Sequence, residues 1–206
     1  MKTKIPIIVI LGPTATGKSD LAVKLAKEFD GEVISADSRQ VYKGLDIGTG
    51  KITKEEMRGT PHHGIDVVSP EERFTVIDFK NLGEKSIKEI HSRGKLPIIC
   101  GGTGFYISSL IDNVELPDVE PNTKLREELE IKNDFELFKI LEELDPKKAL
   151  NIDKNNKRKI IRAIEIAQKL GSVPPLKSSD EKYKPVIIGL NLQKDKLKER
   201  ILNRLN

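Results

Sequence analysis

IPIIVILGPTATGKS, residues 5–19, decides the fold. Its first seven residues are apolar and largely β-branched. They are too few for most helices and run into Gly-Pro, so Ile5–Leu11 reads as a strand buried on both faces. Gly12, Gly17, Lys18 and Ser19 then match G-x-x-x-x-G-K-[ST]. Glycines let the backbone curl until several N–H groups point inward at phosphate oxygens, and the following helix adds the positive end of its dipole. Lys18 supplies a full charge, and the Ser19 hydroxyl is placed to reach a phosphate-bound Mg²⁺, which makes it the expected metal contact. The whole loop, Gly12-Pro13-Thr14-Ala15-Thr16-Gly17-Lys18-Ser19, is therefore the expected diphosphate or nucleotide site. Such a loop leaves open which molecule carries the phosphates, and whether the bond broken is P–O or C–O.

Outward from this motif the chain alternates. A helix is expected over about Lys18–Phe29, with Leu21, Ala22, Leu25 and Phe29 on one face. Glu32–Ala36, Gly64–Val68 and Leu96–Cys100 read as further strands, and Val76–Arg93 as a helix stopped by Gly94. Alternation of this kind implies an α/β fold: a P-loop domain with a parallel sheet flanked by helices. After Asn113 the texture changes. Pro117, Pro121 and Asn122 mark a connection, and charged helical patterns follow at about Thr123–Ile131, Glu136–Leu144 and Asn156–Leu170. This reads as an inserted helical subdomain. Pro185–Leu190 then resembles a strand returning to the sheet, and Lys194–Leu205 a last helix. The expected organisation is a catalytic core at 1–113, the insertion at 114–180 and a return to the core at 181–206.

The composition is that of a globular protein: 206 residues, 37% hydrophobic and 33% charged, with a net charge of +4. That charge is compatible with a polyanionic partner. One cysteine, Cys100, excludes an intrachain disulfide and, with three histidines, makes a poor zinc set. It sits in an apolar run and reads as a core residue. No stretch is long and apolar enough to span a membrane. The apolar N-terminal run enters the glycine loop with no cleavage site, so a strand is expected there and a secretion signal is not. A cytoplasmic, monomeric protein is expected.

Two strand-end loops carry further chemistry. Asp37-Ser38-Arg39-Gln40 follows the second strand, at the end of an open parallel sheet where ligands collect. Asp37 there suits a general base or a water-mediated Mg²⁺ ligand, or it merely caps a turn. Gln40 has the paired donor and acceptor that an adenine edge requires, and equally suits an ordinary polar loop. Gly101-Gly102-Thr103-Gly104 ends the fourth strand. Its amides and the Thr103 hydroxyl suit closure over a diphosphate, or a plain turn before a helix.

Taken in order, GPTATGKS at 12–19, DSRQVYKGLDIGTGK at 37–51, HHGIDVVSP at 62–70, PIICGGTGFYI at 97–107 and RKIIRAIEI at 158–166 resemble the tRNA dimethylallyltransferases. The resemblance spans nearly the whole chain. It implies transfer of a dimethylallyl group from dimethylallyl diphosphate to N6 of an adenosine beside the tRNA anticodon, with Mg²⁺. It further implies Asp37 as general base, with Lys18 and Thr103 also catalytic. It implies tRNA contacts at Asp37, Ser38, Arg39, Gln40, Thr103 and Arg126, and along Arg158, Lys159, Ile160, Ile161 and Arg162. Members of that family are longer, so a C-terminally shortened chain is expected, with Arg200 and Arg204 opening a further basic region. Three alternatives stand beside this reading: an adenylate isopentenyltransferase, a P-loop small-molecule kinase, and a shortened RNA-binding protein without catalysis. The DSRQVY loop and the helical insertion weigh against the first two.

Overall fold

The computed structural model describes residues 3–205, with side chains described through Leu202. Along the chain come β1 (Ile5–Leu11), α1 (Lys18–Glu28), β2 (Gly31–Ser35), the single turn α2 (Lys54–Met57), β3 (His62–His63), α3 (Val76–Ser92), β4 (Leu96–Gly101), α4 (Gly104–Ile111) and β5 (Val114–Glu115). Next are α5 (Thr123–Glu130), α6 (Asp134–Leu144), α7 (Pro146–Leu150) and α8 (Lys157–Leu170), then β6 (Lys177–Ser178), β7 (Tyr183–Gly189) and α9 (Lys194–Leu205). The chain divides into two compact units. One runs to Glu115 and resumes at Ser178; the other is Leu116–Lys177.

The first unit is built on a five-stranded sheet in the order β3-β2-β4-β1-β7, and its pairings are all parallel. Period-two alternation in β1 explains its central place. Ile7 and Val9 face one side, among Ile34, Phe79, Ile87, Ile99 and Leu110. Ile8 and Ile10 face the other, against Ala22, Ala26, Val33 and Ile98. A strand apolar on both faces needs helices on both, and α1 supplies one side while α3 and α4 supply the other. Helix α3 starts on a reciprocal capping box between Thr75 and Asp78 and is followed by Gly94 at φ 72°. Phe79 stacks on Tyr106 at 4.5 Å between ring centres.

Two expectations for this unit need correction. The third strand is His62–His63, upstream of Gly64–Val68, and of that stretch Val68 makes an isolated bridge to Tyr42. Phe29, expected on the inner face of α1, is 56% exposed; Ala22, Val23 and Ala26 are the buried positions.

The second unit is helical with its own core. Leu129, Leu137, Leu141, Ala149, Ile160, Ile161 and Ile164 are buried together. Asn122, Asn133, Asp145 and Asn156 each cap the next helix by accepting a backbone N–H three residues on. Helix α8 ends on Gly171 at φ 80°, a left-handed position that favours glycine. The short α7, opened by Pro146 at its first position, was not foreseen.

Candidate active site

The phosphate loop joins β1 to α1 through two left-handed residues, Ala15 at φ 62° and Gly17 at φ 90°. Left-handed backbone costs an alanine roughly 1–2 kcal/mol, so Ala15 stores strain on the wall of the cavity that the loop lines. Thr16 is buried, and its hydroxyl donates to the Pro13 carbonyl at 2.9 Å. Lys18 Nζ donates to the same carbonyl at 2.6 Å, which lays the ammonium along the loop. Gly12 has no room for a side chain, since a methyl there would lie 2.2 Å from the Leu190 carbonyl oxygen. That carbonyl belongs to the residue after β7, whose N–H donates to Leu11 at 2.8 Å. The returning strand thus abuts the base of the loop.

The loops after β2 and β4 are clasped together. A methyl on Gly101 would lie 2.1 Å from the Ala36 carbonyl oxygen. Ala36 N–H donates to Cys100 at 2.8 Å, and Thr103 N–H donates back to Ala36 at 3.2 Å. Thr103 Oγ1 accepts from Ser38 N–H at 3.1 Å and lies 3.3 Å from Ser38 Oγ. Asp37 Oδ1 accepts from Arg39 N–H at 2.8 Å and from Gln40 N–H at 3.4 Å. The turn-capping role set beside catalysis for Asp37 is therefore real. It also fixes the carboxylate in position.

Thr14, Lys18, Ser19, Asp37 and Gln40 line a single cavity of about 180 Å³, together with His62. Thr103 lines an adjoining cleft with Asp37, Ser38 and Arg39. The sequence reading had given no role to His62 within its motif. Its Nδ1 lies 2.8 Å from the Thr60 carbonyl oxygen. A carbonyl can only accept, so Nδ1 carries the proton and Nε2 presents a lone pair. Nε2 is buried and, among the described residues, has no hydrogen-bond partner. Burial holds the imidazole below its ordinary pKa, helped by His63 and opposed by the Thr60 carbonyl.

Lys51 was also missed. It is 8% exposed. Its ammonium donates to Asp46 at 2.6 Å, Asp66 at 2.5 Å and the Tyr42 carbonyl at 2.7 Å. Burial alone would lower its pKa, but the two carboxylates outweigh burial and raise it. Cys100 is buried, and that burial pushes its thiol up to about 12, so it is inert at neutral pH. Arg200 of α9 comes to the phosphate loop: a methyl on Gly17 would sit 3.7 Å from its Nη1. The side chain of Arg204 lies outside the described residues. No cluster of three or more His, Cys, Asp or Glu among the described residues is arranged to hold a metal, and none of their helices is long and apolar enough to cross a membrane.

In the helical unit the basic residues divide by environment. Arg126 makes a two-pronged pair with Glu165, Nε to Oε1 at 2.7 Å and Nη2 to Oε2 at 2.6 Å. Arg162 donates to Glu165 at 3.1 Å and to the Val119 carbonyl at 2.7 Å. Glu165 is 3% exposed. Burial would raise its pKa, but Arg126, the Asn122 amide and Arg162 together hold it low. Ile160 and Ile161 are buried in the unit's core. Arg158 and Lys159 are exposed at the start of α8.

The model of the IPP transferase family matches residues 40–206. The tRNA dimethylallyltransferase of Caldanaerobacter subterraneus subsp. tengcongensis is 46% identical to this chain, covering 97% of it and 67% of that relative. The enzyme of that name from Anoxybacillus flavithermus is 44% identical, over 97% of this chain and 66% of its own length. Among solved structures, the full-length tRNA isopentenylpyrophosphate transferase of Bacillus halodurans has TM-score 0.66 at 45% identity, covering 98% of this chain and 65% of that one. A eukaryotic dimethylallyltransferase acting on tRNA has TM-score 0.81 at 32% identity, over 97% and 52%. The chain thus spans about two thirds of the curated relatives it matches.

Proposed function

The chain belongs to the IPP transferase family, and from that premise we propose that it transfers a dimethylallyl group from dimethylallyl diphosphate to N6 of an adenosine next to the anticodon in tRNA. The observation that carries this is the shared cavity: a phosphate loop and a fixed carboxylate, Asp37, line one small space. A hydrolase or kinase needs the loop. A carboxylate beside it suits any transfer whose nucleophile must lose a proton, a kinase's included, and the family to which the chain belongs favours prenyl transfer among these.

The step balances as follows. The allylic C–O bond breaks and its electron pair leaves on diphosphate. The N6 nitrogen forms the new N–C bond and gives up a proton to the Asp37 carboxylate. An adenine amine is a weak nucleophile because its lone pair is conjugated into the ring, so loss of that proton matters. Lys18 and the amides of the Gly12–Ser19 loop meet the charge growing on the leaving group. Thr103 acts by holding the Ser38 turn. The base must leave its stack to reach the cavity, which is cheaper from a single-stranded loop than from a duplex.

The residues present fit a magnesium ion. Mg²⁺ takes few protein ligands when a substrate phosphate supplies the rest, and the Ser19 hydroxyl is an oxygen donor on the cavity that the phosphate loop lines. Bound there, the ion would neutralise charge on the departing diphosphate. On the helical unit, Arg158 and Lys159 would meet RNA phosphates directly. Arg126 and Arg162 would reach RNA only with the part of each guanidinium not committed to Glu165.

Labelled dimethylallyl diphosphate, Mg²⁺ and unmodified tRNA provide the test, with AMP, and with ATP plus small alcohols, run in parallel. Label is expected on tRNA. Label on AMP alone, or phosphate moving from ATP, would replace this reading by one of the other two enzymes.

A further inference from the structure

We propose that the loop from Tyr42 to Thr49 carries a second base subsite, in which one of the two nucleotides flanking the acceptor adenosine stacks. The proposal rests on the reading of the acceptor as an RNA. Ile47 is 93% exposed and Leu45 44% exposed, at the tip of this loop. A lone aliphatic residue on a surface means little; the support beneath this one distinguishes it. Lys51, buried, ties Asp46, Asp66 and the Tyr42 carbonyl together from behind. Thr49 Oγ1 donates to the Leu45 carbonyl at 2.5 Å, and Gly50 N–H donates to Ile47 at 3.1 Å. A buried ammonium and two carboxylates thus brace the loop beneath its apolar tip. Order of this kind lowers the entropic cost of binding.

The chemistry of the groove identifies its occupant. It is open, about 860 Å³ in volume, and is lined by Arg39, Tyr42, Leu45, Ile47 and Pro70. An aromatic ring, a guanidinium and aliphatic side chains are what the face of a splayed-out base stacks upon. Lys51 offsets one of the two carboxylate charges beside the groove, Asp46 and Asp66, and the Arg39 guanidinium lines the groove as well. The groove is also continuous with the reactive site. Arg39, Asp46, Ile47 and Thr49 line both this groove and the cleft that passes Asp37, Ser38 and Thr103. A single strand that delivers one base to Asp37 therefore lays a neighbour across Ile47.

The test uses the whole chain and an anticodon stem-loop RNA in which either neighbour of the acceptor adenosine is replaced by an abasic unit. One abasic RNA is expected to bind wild-type protein about tenfold more weakly than the intact RNA. Ile47→Ser is expected to weaken intact RNA by a similar factor and to bind that abasic RNA no more weakly still. Ile47→Leu should restore the wild-type pattern, and all three proteins should bind dimethylallyl diphosphate alike. Equal affinity of wild type and Ile47→Ser for intact RNA, or wild-type affinity for both abasic RNAs, overturns the subsite alone. A wild-type chain that neither binds RNA nor transfers label to it overturns the functional reading as well.

Discussion

Asp37 spends one carboxylate oxygen on its own turn, and that dictates how its chemistry must be probed. Removal by Asp37→Ala would also loosen the Arg39 and Gln40 amides. Asp37→Asn keeps a carbonyl oxygen to accept them but cannot take a proton. Transfer should fall by about 10²- to 10⁴-fold in Asp37→Asn, the usual worth of a general base, with diphosphate affinity unchanged. Isothermal titration alongside single-turnover assays would check this, and wild-type rates would remove Asp37 from the role. His62 makes a second prediction. Its folded pKa is depressed, so the unfolded chain binds the extra proton first. Its contribution to stability is complete above about pH 6.5 and is lost as pH falls from there toward the lower folded value. Urea midpoints measured from pH 5 to 7.5 should decline on the acid side in wild type and less so in His62→Gln. At this scale the phosphate loop was legible from its local spacing, and the position of Asp37 beside it from the strand that it follows. The sequence could not yield His62 or Lys51. Their environments are made by Thr60, Asp46 and Asp66 only once Val33 pairs with His62 and the Tyr42–Val68 bridge closes.

The elements are joined most tightly where the ends of β2 and β4 touch. Any side chain on Gly101 must displace the backbone at Ala36. Gly101→Ala should therefore cost about 3 kcal/mol or more, as overpacking against backbone does. Gly104, at the start of α4, meets nothing within 4 Å of an added methyl. Gly104→Ala should leave stability unchanged or raise it by about 0.5–1 kcal/mol through helix propensity. Chemical denaturation of the two variants side by side would check the contrast. Strands β1, β2, β4 and β7 and the long helices were legible because apolar period and length agree in each. The third strand was misplaced because Ile65, Val67 and Val68 look like a strand by composition but are only half-buried loop. The paired residues are two histidines, which carry no strand signal. Phe29 was misread for a related reason: periodicity names a face but does not say where the neighbouring layer stops.

Across the whole molecule, each unit has a core of its own, and the helical one depends on a single carboxylate. Glu165→Ala leaves Arg126 and Arg162 without their shared partner. It should cost the helical unit about 3 kcal/mol, the lower end for a buried pair because both arginines are partly exposed. Calorimetry should then resolve an early transition for residues 116–177, with the phosphate-loop unit melting as before. Arg158→Ala with Lys159→Ala should instead leave stability alone and reduce the salt slope of tRNA binding by about two. An unchanged slope would exclude these two residues from the RNA interface. The sequence pattern could mark Arg126 and Arg162 as basic. It could not show that one residue, 39 positions from Arg126, pairs with them both.

The parallel pairing of β1 also bears on how the protein is made. Ile8 is flanked by Ile98 on one side and Val186 on the other, and the base of the glycine loop is closed by Leu190. Residues 5–19 leave the ribosome before Ile98, Val186 and Leu190, so the phosphate grip must wait for all three. Until Ile98 emerges this strongly apolar strand has neither neighbour, and until Val186 follows it has only one. Such distant pairings make for slow folding and a long exposure to aggregation. During synthesis, nascent-chain proteolysis should find residues 5–19 cleavable until the region around Leu190 has emerged.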